Sequence, residues 1–88
     1  MAESASPLSF PCRFPVKVMG PNTAAFKAEI VAIARRHAPE LAGRDIHSRT
    51  SANARYISIT LTLTAQSQGQ LDALYRELTR HPEVRFVL

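Results

Sequence analysis

The 88-residue sequence contains a single cysteine, Cys12, and no apolar run long enough to cross a membrane. One thiol cannot close an internal disulfide or form a cysteine-based metal site. The longest stretch without a charged residue, 56–71, alternates with serine and threonine and is too short and polar for a membrane helix. Residues 1–7 contain Glu3 and no apolar core, unlike a signal peptide. We therefore expect a cytoplasmic protein without a membrane partner.

Acidic residues are also few, since seven Asp and Glu stand against eleven Lys and Arg, for a net charge of +4. This excess is compatible with an acidic partner but is small for a nucleic-acid-binding module. A hydrophobic fraction of 45% and a charged fraction of 20% are typical of a folded domain. The length allows one domain with one thin core. We expect residues 1–9 to form a disordered tail and residues 10–88 to form that domain.

The N-terminal half predicts a strand followed by a helix. Residues 16–19 alternate between apolar and other side chains, which is typical of a strand, and Gly20 with the following proline ends it. Asn22 or Thr23 is suited to cap the helix, and Pro39 ends it. The apolar stripe of this helix recurs at helical spacing: Phe26, Ile30, Ile33, Ala34 and His37.

The next part of the chain predicts a hairpin. A weaker strand over 45–50 leads into a turn over 51–54, where Asn53 is the residue best suited to a positive φ. Residues 55–64 alternate strictly, so we expect one sheet face to be buried and the other to be exposed to solvent. The side chains expected on the buried face are those of Ile57, Ile59, Leu61 and Leu63.

A second helix and a last strand follow. Ser67 and Gln70 form a capping-box pattern, in which each side chain reaches the backbone N–H of the other residue. The apolar stripe of this helix consists of Leu71, Leu74, Tyr75 and Leu78. Residues 84–88 predict the last strand. If Phe86 faces the core, then Arg85 and Val87 lie on the open sheet face.

The element order is therefore β-α-β-β-α-β, with one apolar stripe on each helix and one apolar face on the sheet. The arrangement that buries all three is an α+β fold, a ferredoxin-like βαββαβ two-layer sandwich. Right-handed crossovers then give a four-stranded antiparallel sheet of order 4-1-3-2, with both helices on one face.

Several segments of the chain form a distinctive set: FP at 10–11, FPVKVMG at 14–20, RHAP at 36–39, YISI at 56–59, LYREL at 74–78 and VL at 87–88. Together they resemble the YbeD-like family of small bacterial proteins, also called DUF493 or UPF0250. The likeness covers residues 10–88, and the most specific segments are 17–20 and 37–39. Ala54 departs from the glycine usual in the family, so Asn53 would take over the positive φ.

The resemblance implies a ferredoxin-like domain similar in shape to ACT-type regulatory domains, without an established enzymatic activity. Some family members carry the label of lipoate regulatory protein. The chain is therefore expected to be a non-enzymatic regulatory domain that binds a small metabolite or a protein partner, without a cofactor.

Catalytic and metal-binding patterns are not found in the sequence. His37, His47 and His81 fall near a helix end, in a strand and in a loop, without metal-ligand spacing, and the carboxylates are scattered. We interpret His37 as a helix C-terminal residue that hydrogen-bonds nearby carbonyls. We expect neither a catalytic site nor a metal site.

The turn between the first strand and the first helix is one candidate ligand site. A helix N-terminus offers free N–H groups and the positive end of a dipole, and both attract an anion. Lys17 precedes this turn, and Gly20, Asn22 and Thr23 form it. The alternative interpretation is an ordinary helix cap without a ligand.

The open sheet face is the second candidate, with His47, Arg49, Tyr56 and Arg85 as its interaction residues. Basic and hydroxyl side chains there could bind an acidic partner or remain solvated. A nucleic-acid-binding module is the alternative function, although Tyr56 is the one aromatic residue placed on this face to stack a base. A homodimer formed through a sheet edge or this face is a further alternative.

Overall fold

The structure, a computed structural model, describes residues 9–88. Two helices pack on one face of a four-stranded antiparallel sheet of order β2-β3-β1-β4, which is the predicted 4-1-3-2 read from the other edge. The predicted ferredoxin-like fold is thus confirmed. The elements are β1 (Cys12–Pro21), α1 (Ala24–His37), β2 (Ile46–Thr50), β3 (Tyr56–Ala65), α2 (Gln68–Arg80) and β4 (Phe86–Val87), with a short 3-10 helix (Gly43–Asp45) before β2.

Of the predicted disordered tail over residues 1–9, only Ser9 lies within the described residues. No helix of residues 9–88 is long and apolar enough to span a bilayer.

The core lies between the sheet and the two helices. The odd-numbered residues of β3 are buried as predicted, and β1 contributes the neighbouring valines. The helices close the core with the stripes that their spacing predicts, although His37 and Tyr75 stay only partly buried. The largest fully buried side chains are Phe26, Ile30, Ile59, Leu61, Leu63, Leu71, Leu74, Leu78, Val16 and Val18.

Strand β1 is longer than predicted because Pro15 does not interrupt it. The strand pairs with β3 over ten residues, from Cys12 opposite Ala65 to Pro21 opposite Tyr56. The backbone N–H of Lys17 points to the β4 side, where it bonds Leu88 O at 3.0 Å. The nitrogen of Pro15, two residues earlier, points to the same side, where β1 has no paired strand. A proline there removes no ladder hydrogen bond.

The prediction for the β2–β3 turn is wrong in one respect, since Ala54 and not Asn53 has a positive φ, of 60°. The Asn53 side chain instead stabilises the turn, because its Oδ1 accepts hydrogen bonds from Ser51 Oγ at 2.8 Å and from Arg55 N at 3.2 Å. The backbone bond from Ser51 N to Tyr56 O closes a four-residue loop whose left-handed position falls on Ala54.

The capping box of α2 is only half formed. Ser67 Oγ accepts the Gln70 N–H at 3.1 Å, as predicted. Gln70 Oε1, however, accepts from Gln66 N and not from Ser67 N. The amide nitrogen of Gln70 donates to His37 O at 2.7 Å, and this bond ties the start of α2 to the end of α1.

Strand β4 is shorter than the predicted 84–88, and its faces are the reverse of the expected ones. Val87 lies opposite the buried Val18 and packs against the core, whereas Phe86 lies opposite Met19 on the open face and is 51% exposed. Directly opposite residues of an antiparallel pair share a face, so the β1 register decides this orientation. Arg85 reaches the open face from the loop before the strand.

Candidate functional site

The turn between β1 and α1 works as a helix cap. Thr23 has an extended backbone, and its hydroxyl accepts the Phe26 N–H at 3.0 Å. This settles the choice between Asn22 and Thr23 as the capping residue. The Asn22 side chain donates to Ala54 O at 3.0 Å and so ties this turn to the β2–β3 turn.

The predicted ligand residues of this turn do not converge. Gly20 is buried and packs under the ring of Phe26. Lys17 lies opposite Thr60 and points to the open face, on the other side of the sheet. A ligand role for Lys17, Gly20, Asn22 and Thr23 acting together stays a prediction.

The open sheet face consists of rows of directly opposite residues that run across the strands. One row is formed by Arg49, Ser58, Met19 and Phe86, in the order β2, β3, β1 and β4. The next row is formed by His47, Thr60 and Lys17. Neighbours within a row have Cβ atoms about 4.5–5.5 Å apart. The face therefore brings basic side chains from β2 and β1 to either side of the β3 hydroxyls.

The ionisable side chains that the strands contribute to this face include basic residues and no acidic ones. None of the four strands contains Asp or Glu, and all carboxylate side chains of residues 9–88 lie on helices or in loops. Within this part of the chain, Lys17, His47 and Arg49 have no carboxylate partner within 4.0 Å, and all three are exposed. At the far end of the face, Arg13 pairs with Asp45 at 2.7 Å. Among residues 9–88, these three basic side chains therefore have no carboxylate partner and can bind an external anion.

Tyr56 and Arg85 form a second group at one end of the open face. The Arg85 guanidinium carbon lies 5.2 Å from the centre of the Tyr56 ring, and Arg85 Nη2 lies 3.4 Å from Tyr56 Oη. Arg49 lies on β2 at one side of the sheet, and the uncharged side chains of Tyr56 on β3 and Met19 on β1 separate it from Arg85, which precedes β4. The four predicted open-face residues therefore share one face, but their charges do not form a continuous stripe.

Two shallow cavities lie side by side on this face. The first, of about 210 Å³, is lined by residues 49–51 and 56–58 and by Met19. The second, of about 190 Å³, is lined by Lys17, Thr60, residues 47–49 and Ser58. Arg49 and Ser58 line both cavities, so they mark the boundary between an apolar pocket beside Tyr56 and a cationic pocket beside Lys17.

The helix layer carries a wider groove of about 520 Å³, whose floor includes Ile33 and Ala73. Glu77 accepts from His37 Nε2 at 2.7 Å and also pairs with Arg36. The interpretation of His37 as a residue that bonds nearby carbonyls is therefore wrong, because its ring reaches the carboxylate of the facing helix. Such partners lie 40 residues or more apart, so local spacing cannot reveal them.

His81 joins the end of α2 to α1. Its Nδ1 accepts the Glu83 N–H at 3.1 Å, so the proton lies on Nε2, which donates to Glu29 Oε1 at 2.6 Å. The ring also packs edge-on against Phe26, at 5.5 Å between centroids. Potential ligand atoms of Glu29, His81 and Glu83 lie within 4.8 Å of one another. Because both ring nitrogens are already hydrogen-bonded, the cluster is explained as a structural link.

Catalytic geometry is not present among the described residues. No histidine within residues 9–88 hydrogen-bonds a hydroxyl or thiol side chain, the contact that activates a nucleophile. What the site offers is cations, hydroxyls and small apolar surfaces on one open face, and these groups suit binding.

The family model described as "Protein of unknown function (DUF493)" matches residues 5–88. A UPF0250 protein of Chromobacterium violaceum is 47% identical over 79 residues, which cover 90% of this chain and 89% of the relative. Neither the family description nor the name of this relative indicates an enzyme.

Two solved structures have a similar fold. Protein HP0495 from H. pylori is 13% identical with a TM-score of 0.72, covering 96% of this chain and 88% of that chain. The ACT domain from the GTP pyrophosphokinase of Chlorobium tepidum is 16% identical with a TM-score of 0.59, covering 88% of this chain and 97% of that chain. These two likenesses concern the fold alone. The family match and the relative from C. violaceum show that the chain belongs to the DUF493 (UPF0250) family.

Proposed function

We propose that the protein is a non-enzymatic regulatory module of the cytoplasm that binds an acidic segment of a partner protein on its open sheet face. One observation carries the proposal: Lys17, His47 and Arg49 are exposed on a face whose strands contain no carboxylate. Charges of one sign on one surface attract a partner of the opposite sign and exclude partners of the same sign. The ACT-like shape supports a regulatory role by analogy of fold.

The composition of the face favours a protein as the partner. Tyr, Met, Phe and Arg are enriched in the centres of protein–protein interfaces. The open face presents these four residue types together as Tyr56, Met19, Phe86 and Arg49. Phe86 is half exposed and adds apolar surface to the edge of this face.

Nucleic acid fits this face less well. Single-stranded nucleic acid binds by stacking its bases on aromatic rings along the central strands. The central strands β3 and β1 offer only the Tyr56 ring on this face, and Arg85 already lies over it. The uncharged residues Met19 and Phe86 also interrupt the row that a phosphate backbone would follow from Arg49 to β4.

Binding of labelled probes tests the proposal. The probes are a set of acidic peptides of varied sequence and mixed-sequence DNA and RNA oligonucleotides, each titrated by fluorescence anisotropy at several salt concentrations. Arg49→Glu reverses a charge on the open face. Arg80→Glu makes the same change in net charge on α2, where Arg80 is exposed in the helix layer.

We expect acidic peptides to bind, Arg49→Glu to weaken their binding by about tenfold or more, and Arg80→Glu to leave it nearly unchanged. Absence of peptide binding, or equal weakening by both variants, would overturn the proposal. Oligonucleotides that bind more tightly than the peptides, with a steep loss of affinity as salt increases, would replace it with the nucleic-acid function.

A further inference from the structure

The two open-face cavities have a defined spacing. The apolar cavity lies between the row of Ser51 and Tyr56 and the row of Arg49 and Ser58. The cationic cavity lies between that second row and the row that contains His47, Thr60 and Lys17. Successive rows on one face are two residues apart along each strand, so the two cavities are displaced by about 7 Å along the strand direction.

An extended peptide has the same repeat. Its side chains alternate between two sides, and residues i and i+2 project from one side about 7 Å apart. A peptide that lies along the strands on the open face can therefore place one side chain in each cavity. Neighbouring residues, i and i+1, cannot do so because they project in opposite directions.

The residues that line each cavity indicate which type of peptide side chain it can bind. The cationic cavity combines Lys17, His47 and Arg49 with the Ser58 and Thr60 hydroxyls, and these groups all donate hydrogen bonds to a carboxylate when the histidine carries a proton on the facing nitrogen. A guanidinium such as that of Arg49 can bind a carboxylate through two parallel hydrogen bonds.

The other cavity suits an apolar side chain. The side chains of Met19 and Tyr56 lie at this cavity. Its volume of about 210 Å³ is about seven times the ~30 Å³ share of a water molecule, which is enough for one leucine or phenylalanine side chain. Transfer of such a side chain out of water adds affinity that the charges alone do not supply.

We infer that the open face recognises an extended peptide in which an apolar residue and an aspartate or glutamate are separated by one residue, in either order. This inference rests on the proposed function and specifies the sequence of the acidic segment. The boundary residue Arg49 lines both cavities and would hold the carboxylate beside the apolar side chain.

The test uses dye-labelled synthetic peptides of identical composition that differ only in spacing. Within a Gly/Ser background, Leu-Ser-Glu and Glu-Ser-Leu have the inferred spacing, Leu-Glu-Ser has adjacent residues and Leu-Ser-Ser-Glu has one residue too many. A fifth peptide, Ala-Ser-Glu, keeps the charge and removes the apolar group. Each is titrated against the full chain by fluorescence anisotropy.

We expect at least one of the two peptides with the inferred spacing to bind about tenfold more tightly than the adjacent and the longer-spaced peptides. Met19→Ala should weaken the leucine peptide by several-fold and leave Ala-Ser-Glu unchanged. Thr62→Val, two residues beyond Thr60 on the same face, is the control and should affect neither peptide.

The outcomes separate the two proposals. If all acidic peptides bind equally well regardless of spacing, or if Met19→Ala weakens both peptides alike, the inference on the motif is wrong while the acidic partner stands. If no acidic peptide binds, the proposed function fails together with the inference.

Discussion

Gly20 lies directly beneath the aromatic ring of Phe26. A Cβ atom at Gly20 would come within 2.6 Å of both Cε carbons of that ring, closer than nonbonded carbon atoms approach. None of the three glycines has a positive φ, so Gly20 is needed for space and not for backbone freedom. The glycine lets the first turn of α1 pack close to β1, and it has this role whether or not the turn binds a ligand.

Gly20→Ala should therefore destabilise the fold by about 1–3 kcal/mol, the usual cost of forcing an extra methyl group into a packed core. Gly43→Ala is the matched control, because no atom lies within 4 Å of an added Cβ there, and its effect should stay within about 0.5 kcal/mol. Urea denaturation measures both. Equal stability of the two variants would show that Phe26 can move away from Gly20.

Leu61 and Thr62 test the register of β3. Leu61 is fully buried, whereas Thr62 lies on the open face. Leu61→Ala should cost about 2–5 kcal/mol because it removes core contacts and leaves a cavity. Thr62→Val should change stability by no more than about 0.5 kcal/mol. Thermal melting compares the two variants. A larger loss of stability from Thr62→Val than from Leu61→Ala would show that the register of β3 is wrong by one residue.

Ala54 has a left-handed backbone, with a φ of 60°. An L-residue with a Cβ pays about 1–2 kcal/mol for this conformation, and glycine avoids it. After the larger entropy loss of glycine is subtracted, Ala54→Gly should stabilise the fold by about 0.5–1 kcal/mol.

Asn53→Gly is the contrasting change in the same turn. It removes the side-chain oxygen that accepts from Ser51 and Arg55, at a residue without a positive φ, so it should destabilise the fold. Chemical denaturation of both variants decides which of the two positions needs a glycine. A gain in stability from Asn53→Gly would contradict the turn geometry.

Asp45 should make stability depend on acid pH. The Ala42 N–H and then the Arg13 guanidinium hold the pKa of Asp45 below its usual value of 3.8. A carboxyl whose pKa is lowered by folding stabilises the fold above its unfolded pKa, and this contribution is lost as pH falls through the folded pKa.

Asp45→Asn should thus lower the Tm at neutral pH, and the difference from the wild-type protein should shrink as pH falls below about 3.8. Arg13→Gln should have the same sign and a smaller effect, because the Ala42 bond remains. Melting curves over a pH series measure the difference, and a difference that does not vary with pH would exclude this origin.

Much of the fold follows from local patterns. The alternation in β3 predicts which side chains are buried because each residue of a strand points to the face opposite its neighbour's. The spacing of Leu71, Leu74 and Leu78 predicts the buried side of α2 in the same way. The orientation of β4 could not be predicted in this way. The strand has two residues, too few for alternation to show whether Phe86 or Val87 faces the core.

The candidate site was only partly predictable. Tyr56 and Arg49 could be placed on the open face from strand alternation. Alternation did not predict that Arg85 contacts Tyr56 or that uncharged Met19 lies on a strand between Arg49 and Arg85. Both depend on the order of the strands and on their register. Side chains that link the two helices, such as Glu77 and His37, come within hydrogen-bonding distance only because the helices pack against each other.

Composition and periodicity by themselves determined a two-layer α+β domain, the buried face of its sheet and the positions of its helices, because these depend on interactions between residues close in the chain. Tertiary structure decided which basic side chains of residues 9–88 lie beside a carboxylate, which turn residue is left-handed and how the two open-face cavities are spaced. Each of these depends on which strands become neighbours and in what register, and residues distant in sequence set that register by burying their apolar sides together.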